Sequence, residues 1–335
     1  MYTSRRQFLQ DSLALAGFGL LAGCGVPAPF VPQPAGTRTI GYLSRGALPG
    51  FAPWLDAFRE GLEEQGQAEG RTYAIEARWA DEKEDQFPSL VADLLRQGVD
   101  VILAEGTPAS VAAKQATDSI PIVMAGASDP IGTGLVASLA RPGGNVTGVS
   151  TLHAQTSAKR LELLRDTLPT GTRVAVFTSP PNPAAGLNFR ETEAAARALG
   201  VPIVPIEVRT TDDFDPALDT VAGAGVGGLL VLCDTLTPRR RRVWVDFAAR
   251  AQLPAIFEAR EYVEEGALMG HGPNFPTIFR RAAGHVDKIL KGARPAELPV
   301  EQPTSFDFTI NLRTAQALGL TIPPSVLAQA TEVMQ

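Results

Sequence analysis

The sequence predicts an α/β protein built as two similar lobes, each a parallel sheet with helices on both faces, joined by several hinge strands. Two observations carry this expectation. Apolar stretches of strand length alternate with helical stretches from about residue 37 onward, the pattern of βαβ units. The alternation also runs through the same order twice, with shared turn residues at corresponding points: Gly66 and Gly200, Phe87 and Phe214, Pro108 and Pro238, Pro121 and Pro254. Each run makes one Rossmann-like lobe.

In the first run a strand at 39–43 leads to a helix at 53–65 stopped by Gly66. A strand at 73–79, an acidic turn before Phe87, a helix at 88–96 and a strand at 99–104 follow. A turn carrying Thr107-Pro108 opens a helix that ends near Thr117. The stretch 120–150 then reads as a buried strand (120–125), a polar turn with Asp129-Pro130, a short helix (131–139) and a Gly-rich passage into an extended segment at 145–150. The second run gives strands at 173–177, 203–208 and 228–232, helices at 189–199 and 216–222, a turn with Thr237-Pro238, a helix to Arg250 and a strand opened by Leu253-Pro254. After Met269 the pattern changes to a linker-like run (270–274), a helix (276–291) and an extended tail segment (303–310). These tail elements are what remains to return to the first lobe and cross again. The expected division is therefore residues 38–148 with 272–303 in the N-terminal lobe, and 149–271 with 304–335 in the C-terminal lobe.

Ahead of the lobes stands an export signal. Ser4-Arg5-Arg6-Gln7-Phe8-Leu9 is a twin-arginine pattern, the apolar run 13–21 is too short to span a bilayer, and Leu21-Ala22-Gly23-Cys24 is a small-residue box before a cysteine. The expectation is a signal over residues 1–24 ending at a lipidated Cys24, followed by a Pro-rich tether over 25–37 that holds an exported, membrane-anchored chain at a short distance. Cys233 is the only other cysteine, so no disulfide framework exists. A net charge of -6 and a pI near 5.3 argue against a nucleic-acid partner.

No constellation for catalysis stands out, and the expectation is a protein that is not an enzyme and needs no cofactor. Gly132-x-Gly134-x-x-Ala137 fits a loose dinucleotide fingerprint, but Gln155, roughly twenty residues on, is not the acidic residue a ribose requires. His153, His271 and His285 lack metal-ligand spacing, and Gly148-Val149-Ser150-Thr151-Leu152 lacks the second glycine of a nucleophile elbow. Arg239 to Arg242 sit at a helix start, against the helix dipole, and are either a solvated face or a docking patch.

Several longer motifs carry a resemblance. Gly41-Tyr42-Leu43-Ser44, the run from Asp129-Pro130-Ile131-Gly132 to Pro142-Gly143-Gly144-Asn145, Lys159-Arg160-Leu161-Glu162-Leu163-Leu164, Val286-Asp287-Lys288-Ile289-Leu290-Lys291-Gly292, Leu298-Pro299-Val300-Glu301-Gln302-Pro303 and Ala317-Leu318-Gly319-Leu320-Thr321-Ile322-Pro323-Pro324 together cover nearly the whole chain after the tether. In these the chain resembles the solute-binding lipoproteins of ABC importers, with a type I periplasmic-binding fold. The resemblance implies a monomer that captures a small solute, an amino acid or related small carboxylate, between closing lobes and delivers it to a membrane permease. A ligand-sensing subunit that presents the same fold to a membrane receptor or kinase is the alternative.

In this fold, ligand is held by loops at strand C-terminal ends. The first lobe offers the loops Ser44-Arg45-Gly46, Glu105-Gly106-Thr107 and Ala127-Ser128-Asp129, with Ser44, Gly106, Thr107, Ser128 and Asp129 as the candidate contacts; the second offers Ser179 to Asn182, Asp234-Thr235 and Glu258-Ala259-Arg260, with Asn182, Asp234, Thr235, Glu258 and Arg260. Ser44, Thr107 and Ser128 suit a carboxylate, and Asp234 or Asp129 an ammonium. Thr107, Thr235 and Asp129 are equally good helix or turn caps. The family's Asn-Pro-x-Asn-Pro-like loop is kept only in its later Asn182-Pro183, within Thr178-Ser179-Pro180-Pro181-Asn182-Pro183. Tyr42, Trp54, Phe257 and Tyr262 lie near cleft loops and serve either as stacking surfaces or as core. Asp234→Ala is expected to weaken solute binding more than about tenfold without loss of the fold, the cost of removing one charge-assisted contact; calorimetry at unchanged affinity would remove Asp234 from the site.

Overall fold

The computed structural model describes residues 36–46, 52–81, 83–180, 182–232 and 241–335. The signal, Cys24, the tether up to residue 35, Cys233, Asp234 and Thr235 lie outside the described residues. Residues 37–335 form one compact unit.

In chain order the first half contributes β1 (Arg38–Ser44), α1 (Ala52–Glu64), β2 (Tyr73–Trp79), α2 (Phe87–Arg96), β3 (Val101–Glu105), α3 (Gly106–Ala116), β4 (Ile122–Ser128) and β5 (Val146–Thr151). These strands form a wholly parallel sheet in the order β2-β1-β3-β4-β5. There follow α4 (His153–Asp166), β6 (Val174–Thr178), α5 (Ala185–Leu199), β7 (Ile203–Glu207), α6 (Phe214–Gly223), β8 (Gly228–Val231), α7 (Arg241–Arg250) and β9 (Ala255–Phe257). The tail adds α8 (Arg260–Glu264), β10 (Met269–Pro273), α9 (Phe275–Leu290), β11 (Phe306–Asn311), α10 (Leu312–Ala317), α11 (Pro324–Leu327) and β12 (Glu332–Met334). The second sheet runs β12-β11-β10-β9-β8-β6-β7; β11 and β12 are parallel to each other and run antiparallel to the other five strands.

The internal repeat survives in the topology. The order β2-β1-β3-β4 in one sheet is matched by β7-β6-β8-β9 in the other. The inner strands β3 and β4 are buried at every residue because helices cover both faces of the first sheet, whereas the edge strand β2 carries Glu76 and Arg78 and is only partly covered.

The tail helix α9 crosses back to the first sheet. Its apolar residues Phe275, Ile278, Phe279, Ala282, Ala283, Val286 and Ile289 recur at helical spacing and are buried against Trp54, Phe58 and Leu62 of α1 and the strands beneath. Its start is fixed by Asn274, whose Oδ1 accepts the Thr277 N–H at 2.9 Å and whose Nδ2 donates to Asp307 at 2.9 Å. The chain then runs back along the edge of β5, where Glu301 donates its N–H to Gly148 O and accepts from Ser150 N, both at 2.9 Å, before entering β11. The chain thus passes between the two sheets three times: after Thr151, after Pro273 and after Glu301.

Three expectations change. Residues 131–139 are turns rather than a helix. Asp129 takes a left-handed backbone (φ 42) and its carboxylate accepts the Gly132 N–H at 2.9 Å. Lys114 Nζ then occupies the Gly134 and Leu135 carbonyls, which a helix would have bonded internally. The linker-like run 270–274 is largely β10. A Cβ on Gly272 would stand 1.9 Å from Glu258 O, and one on Gly270 2.4 Å from Ala259 O, so the glycines exist to let the turn after β9 lie against this strand. Finally, β5 extends to Thr151, beyond the crossover expected at 148.

Candidate functional site

The C-terminal ends of β1, β3 and β4 and the start of α3 meet the loop after β6 and the first turns of α5 around a buried polar cavity. Its lining includes Arg45, Glu105, Gly106, Thr107, Ser128, His153, Asn182, Asn188 and Phe275. The space left is about 20 Å³, enough for a single water and nothing larger. A second cavity of about 200 Å³ shares Ser128 and His153 and continues past Asp129, Pro130, Ser150, Thr151 and Leu187. A third cavity, about 390 Å³, lies at the other end of the second sheet, around residues 165–174 and 199–201. That place has strand N-terminal ends, and its charged lining residues Arg165 and Asp166 pair with each other.

Among the described residues, the charged side chains lining this cavity are at the ends of β1 and β3. Arg45 Nε lies 2.8 Å from Glu105 Oε1, and the Ser44 hydroxyl donates to Glu105 Oε2 at 2.5 Å. All three side chains are almost fully buried, and burial pushes the Glu105 carboxyl above its usual range against the opposing pull of Arg45 and Ser44. The Thr107 hydroxyl accepts the Ser128 N–H at 2.9 Å and so ties α3 to the end of β4. Across the cleft, Ser128 Oγ lies 3.4 Å from Asn188 Oδ1, a long contact that joins the two lobes. Asn182 Oδ1 accepts the Ala184 N–H at 3.0 Å and shapes the turn into α5.

Two histidines, His153 at the cavity and His271 within β10, are held neutral. Burial drives the imidazole of His153 well below its ordinary value, with the charges of Arg160 and Arg45 adding to it. His271 on β10 is lowered to about 4 by burial and then by Arg160 and Lys159. Both groups titrate near 6.5 when the chain is unfolded, so the stability they contribute is full above that pH and is lost as pH falls toward the folded values. Each should cost about 1.4 kcal/mol per pH unit below 6.5. Melting followed from pH 7 to pH 5 should show this decline, and His271→Gln should flatten it; an unchanged slope would remove His271 as a cause.

Of the residues expected from sequence, the structure brings Gly106, Thr107, Ser128 and Asn182 to one cavity, with Ser44 behind Glu105. Asp129 faces the adjoining cavity and caps a turn. Glu258 is buried at the end of β9, and its Oε2 has no partner. Arg260 is not brought to the cleft: it is half exposed and pairs with Glu264 and Glu332, both at 2.8 Å. Thr107 is not the helix cap, since α3 begins at Gly106 and its extended N-cap residue is Glu105. The aromatic candidates are walls and core: Tyr42 packs edge-on against Trp79, Trp54 stacks on Phe275 at 4.4 Å, and Phe257 stacks on Tyr262 at 4.5 Å. Arg241 pairs with Glu265 at 2.6 Å and Arg242 with Asp246 at 3.6 Å, so both have local partners. Asn188 and Phe275 are not marked by the sequence, His153 is weighed there only as a metal ligand, and Arg45 and Glu105 fall within the expected cleft loops without being chosen as contacts. For Arg45 and Glu105 the signal was present, because each sits beside an expected residue at a strand end.

Two repeated α/β lobes, three crossings and a polar cavity at facing strand ends are the architecture of the type I periplasmic-binding fold. The model of the ABC transporter substrate binding protein family matches residues 49–334, and the chain belongs to that family. It is therefore a binder and not an enzyme. It is 26% identical over 272 residues to a tyrosine-binding protein of Clostridioides difficile, covering 80% of this chain and 78% of that one. A Streptococcus pneumonia domain solved in complex with L-Trp superposes with a TM-score of 0.83 at 26% identity, over 89% of this chain and 100% of that one. The ligand-free, open structure of a substrate binding protein with adhesive properties from Clostridium difficile gives 0.64 at 25% identity, over 89% and 100%.

Proposed function

We propose that the protein captures an amino acid, aromatic ones foremost, in the cleft between its lobes and hands it to the permease of an ABC importer. The observation that carries this reading is the set of buried charges and amides at the facing strand ends: a carboxylate and a guanidinium from one lobe, two asparagines from the other. An amino acid needs acceptors for its ammonium and donors for its carboxylate in one small volume, and these are such groups. The relatives that bind tyrosine and L-Trp support the ligand class. Closure rotates residues 38–151 with 275–301 against 152–273 with 306–335, and the ligand stabilises the closed form through contacts that exist only there. The N-terminal signal supports export and tethering through lipidated Cys24, with no nucleic acid and no cofactor involved.

A thermal-shift screen of residues 37–335 against amino acids, other small carboxylates, sugars and nucleosides tests this. A ligand at a hundred times its dissociation constant adds about 2.7 kcal/mol. A shift for an amino acid is the expected result; a shift for sugars or nucleosides alone overturns the ligand class.

A further inference from the structure

Arg45 and Glu105 occupy the floor of the cleft cavity, 5% and 2% exposed, and reach it from the ends of two neighbouring strands. A buried ion pair is seldom more stabilising than apolar packing of the same volume. A pair placed at the wall of the ligand cavity is therefore better accounted for by what it meets there. Glu105 is held from behind by the Ser44 hydroxyl at 2.5 Å, so its carboxylate keeps its orientation if Arg45 turns away. The cavity beside the pair is closed by Asn182 and Asn188 of the opposite lobe, and its 20 Å³ leaves no room for a solute until the groups around it shift.

Resting on the amino-acid reading above, we propose that this pair is a place-holder for the ligand's own charges: Glu105 takes the ammonium and Arg45 the carboxylate of a zwitterion. Each residue then exchanges an internal partner for an external one, and no buried charge is left uncompensated. A ligand carrying only one of the two charges satisfies one residue and leaves the other facing a closed, water-poor cleft. The pair thus selects free α-amino acids over amines and over simple carboxylates. No covalent step is involved.

The test is calorimetry on the purified protein with all standard amino acids, then with the decarboxylated amine and the deaminated acid of the best-bound one; for L-tyrosine these are tyramine and hydroxyphenylpropionate. The expected result is that each singly charged analogue binds about a hundredfold or more weakly than the amino acid. The doubly neutral variant R45M/E105Q, whose fold is checked by its melting curve, should lose amino-acid binding by a similar factor and stop distinguishing the three compounds. Analogues that bind the natural protein within about tenfold of the amino acid overturn the proposal even if the variant does not fold. A folded variant that keeps the amino-acid affinity overturns it as well. Failure of every standard amino acid to bind the natural protein overturns the ligand reading itself, and the proposal with it.

Discussion

Arg45→Met is expected to destabilise the protein by about 3–5 kcal/mol at neutral pH, because it leaves the Glu105 carboxylate buried without its cation. The sign of the pH dependence separates this cause from simple loss of packing. Burial already raises the Glu105 carboxyl above its usual range, and removing Arg45 takes away the largest opposing influence. A folded carboxyl that titrates above its unfolded counterpart costs stability as pH rises past the unfolded value near 4.5. The penalty of Arg45→Met should therefore be greatest at neutral pH and shrink as pH falls toward that value. The further change to R45M/E105Q should recover most of the loss at neutral pH, since the buried charge is gone. Melting curves of the natural protein and both variants across pH decide the matter; a penalty that does not vary with pH would mean that the guanidinium matters for packing alone.

Gly148→Ala is expected to cost about 4 kcal/mol or more, in the range reserved for named steric faults. Gly148 lies within β5 at φ 128, a backbone region that side chains rarely adopt. A Cβ there would stand 2.2 Å from the Met124 carbonyl oxygen and 2.7 Å from its nitrogen, both backbone atoms of β4 that cannot swing aside. The same residue accepts the Glu301 N–H, so the strain falls on the edge that receives the returning chain. With about 2–4 °C lost per kcal/mol in a chain of this size, the melting temperature should fall by about 10 °C or more. Gly144→Ala, whose Cβ meets nothing within 4 Å, is the control and should leave melting almost unchanged. Equal melting of the two variants would mean that β4 and β5 can part at no cost.

The α/β class, the repeated succession of strands and helices and the cleft-facing ends were legible in the sequence because they follow from periodicity and from turn residues that recur in both halves. What could not be read has local causes. The stretch 131–139 has helix-like spacing, yet Lys114, distant in sequence, takes its carbonyls and keeps it in turns. The strand β10 hides in Met-Gly-His-Gly-Pro because its glycines answer to the backbone of Glu258 and Ala259, which no local pattern reveals. At the site, residue types pointed to Ser44 and Thr107, while the charges that dominate the cavity are their neighbours Arg45 and Glu105. Sequence marks which loop reaches the cleft; which side chain of the loop turns inward depends on the register of strand ends. Arg260 shows the same limit from the other side, since a basic residue after β9 finds its carboxylate on β12 at the far end of the chain.

The crossing of α9 to the first sheet has a consequence for the order in which the molecule is made. Trp54, Phe58 and Leu62 of α1 are covered by residues 275–289, and the edge of β5 is completed only by Glu301. The second sheet in turn gains its outermost strand only at residues 332–334. A nascent chain stopped anywhere before residue 275 therefore carries two unfinished halves, each with an apolar face open to water. Synthesis from the N-terminus finishes the first half only at residue 301 and the second only at residue 334, so about the last sixty residues close the two in turn.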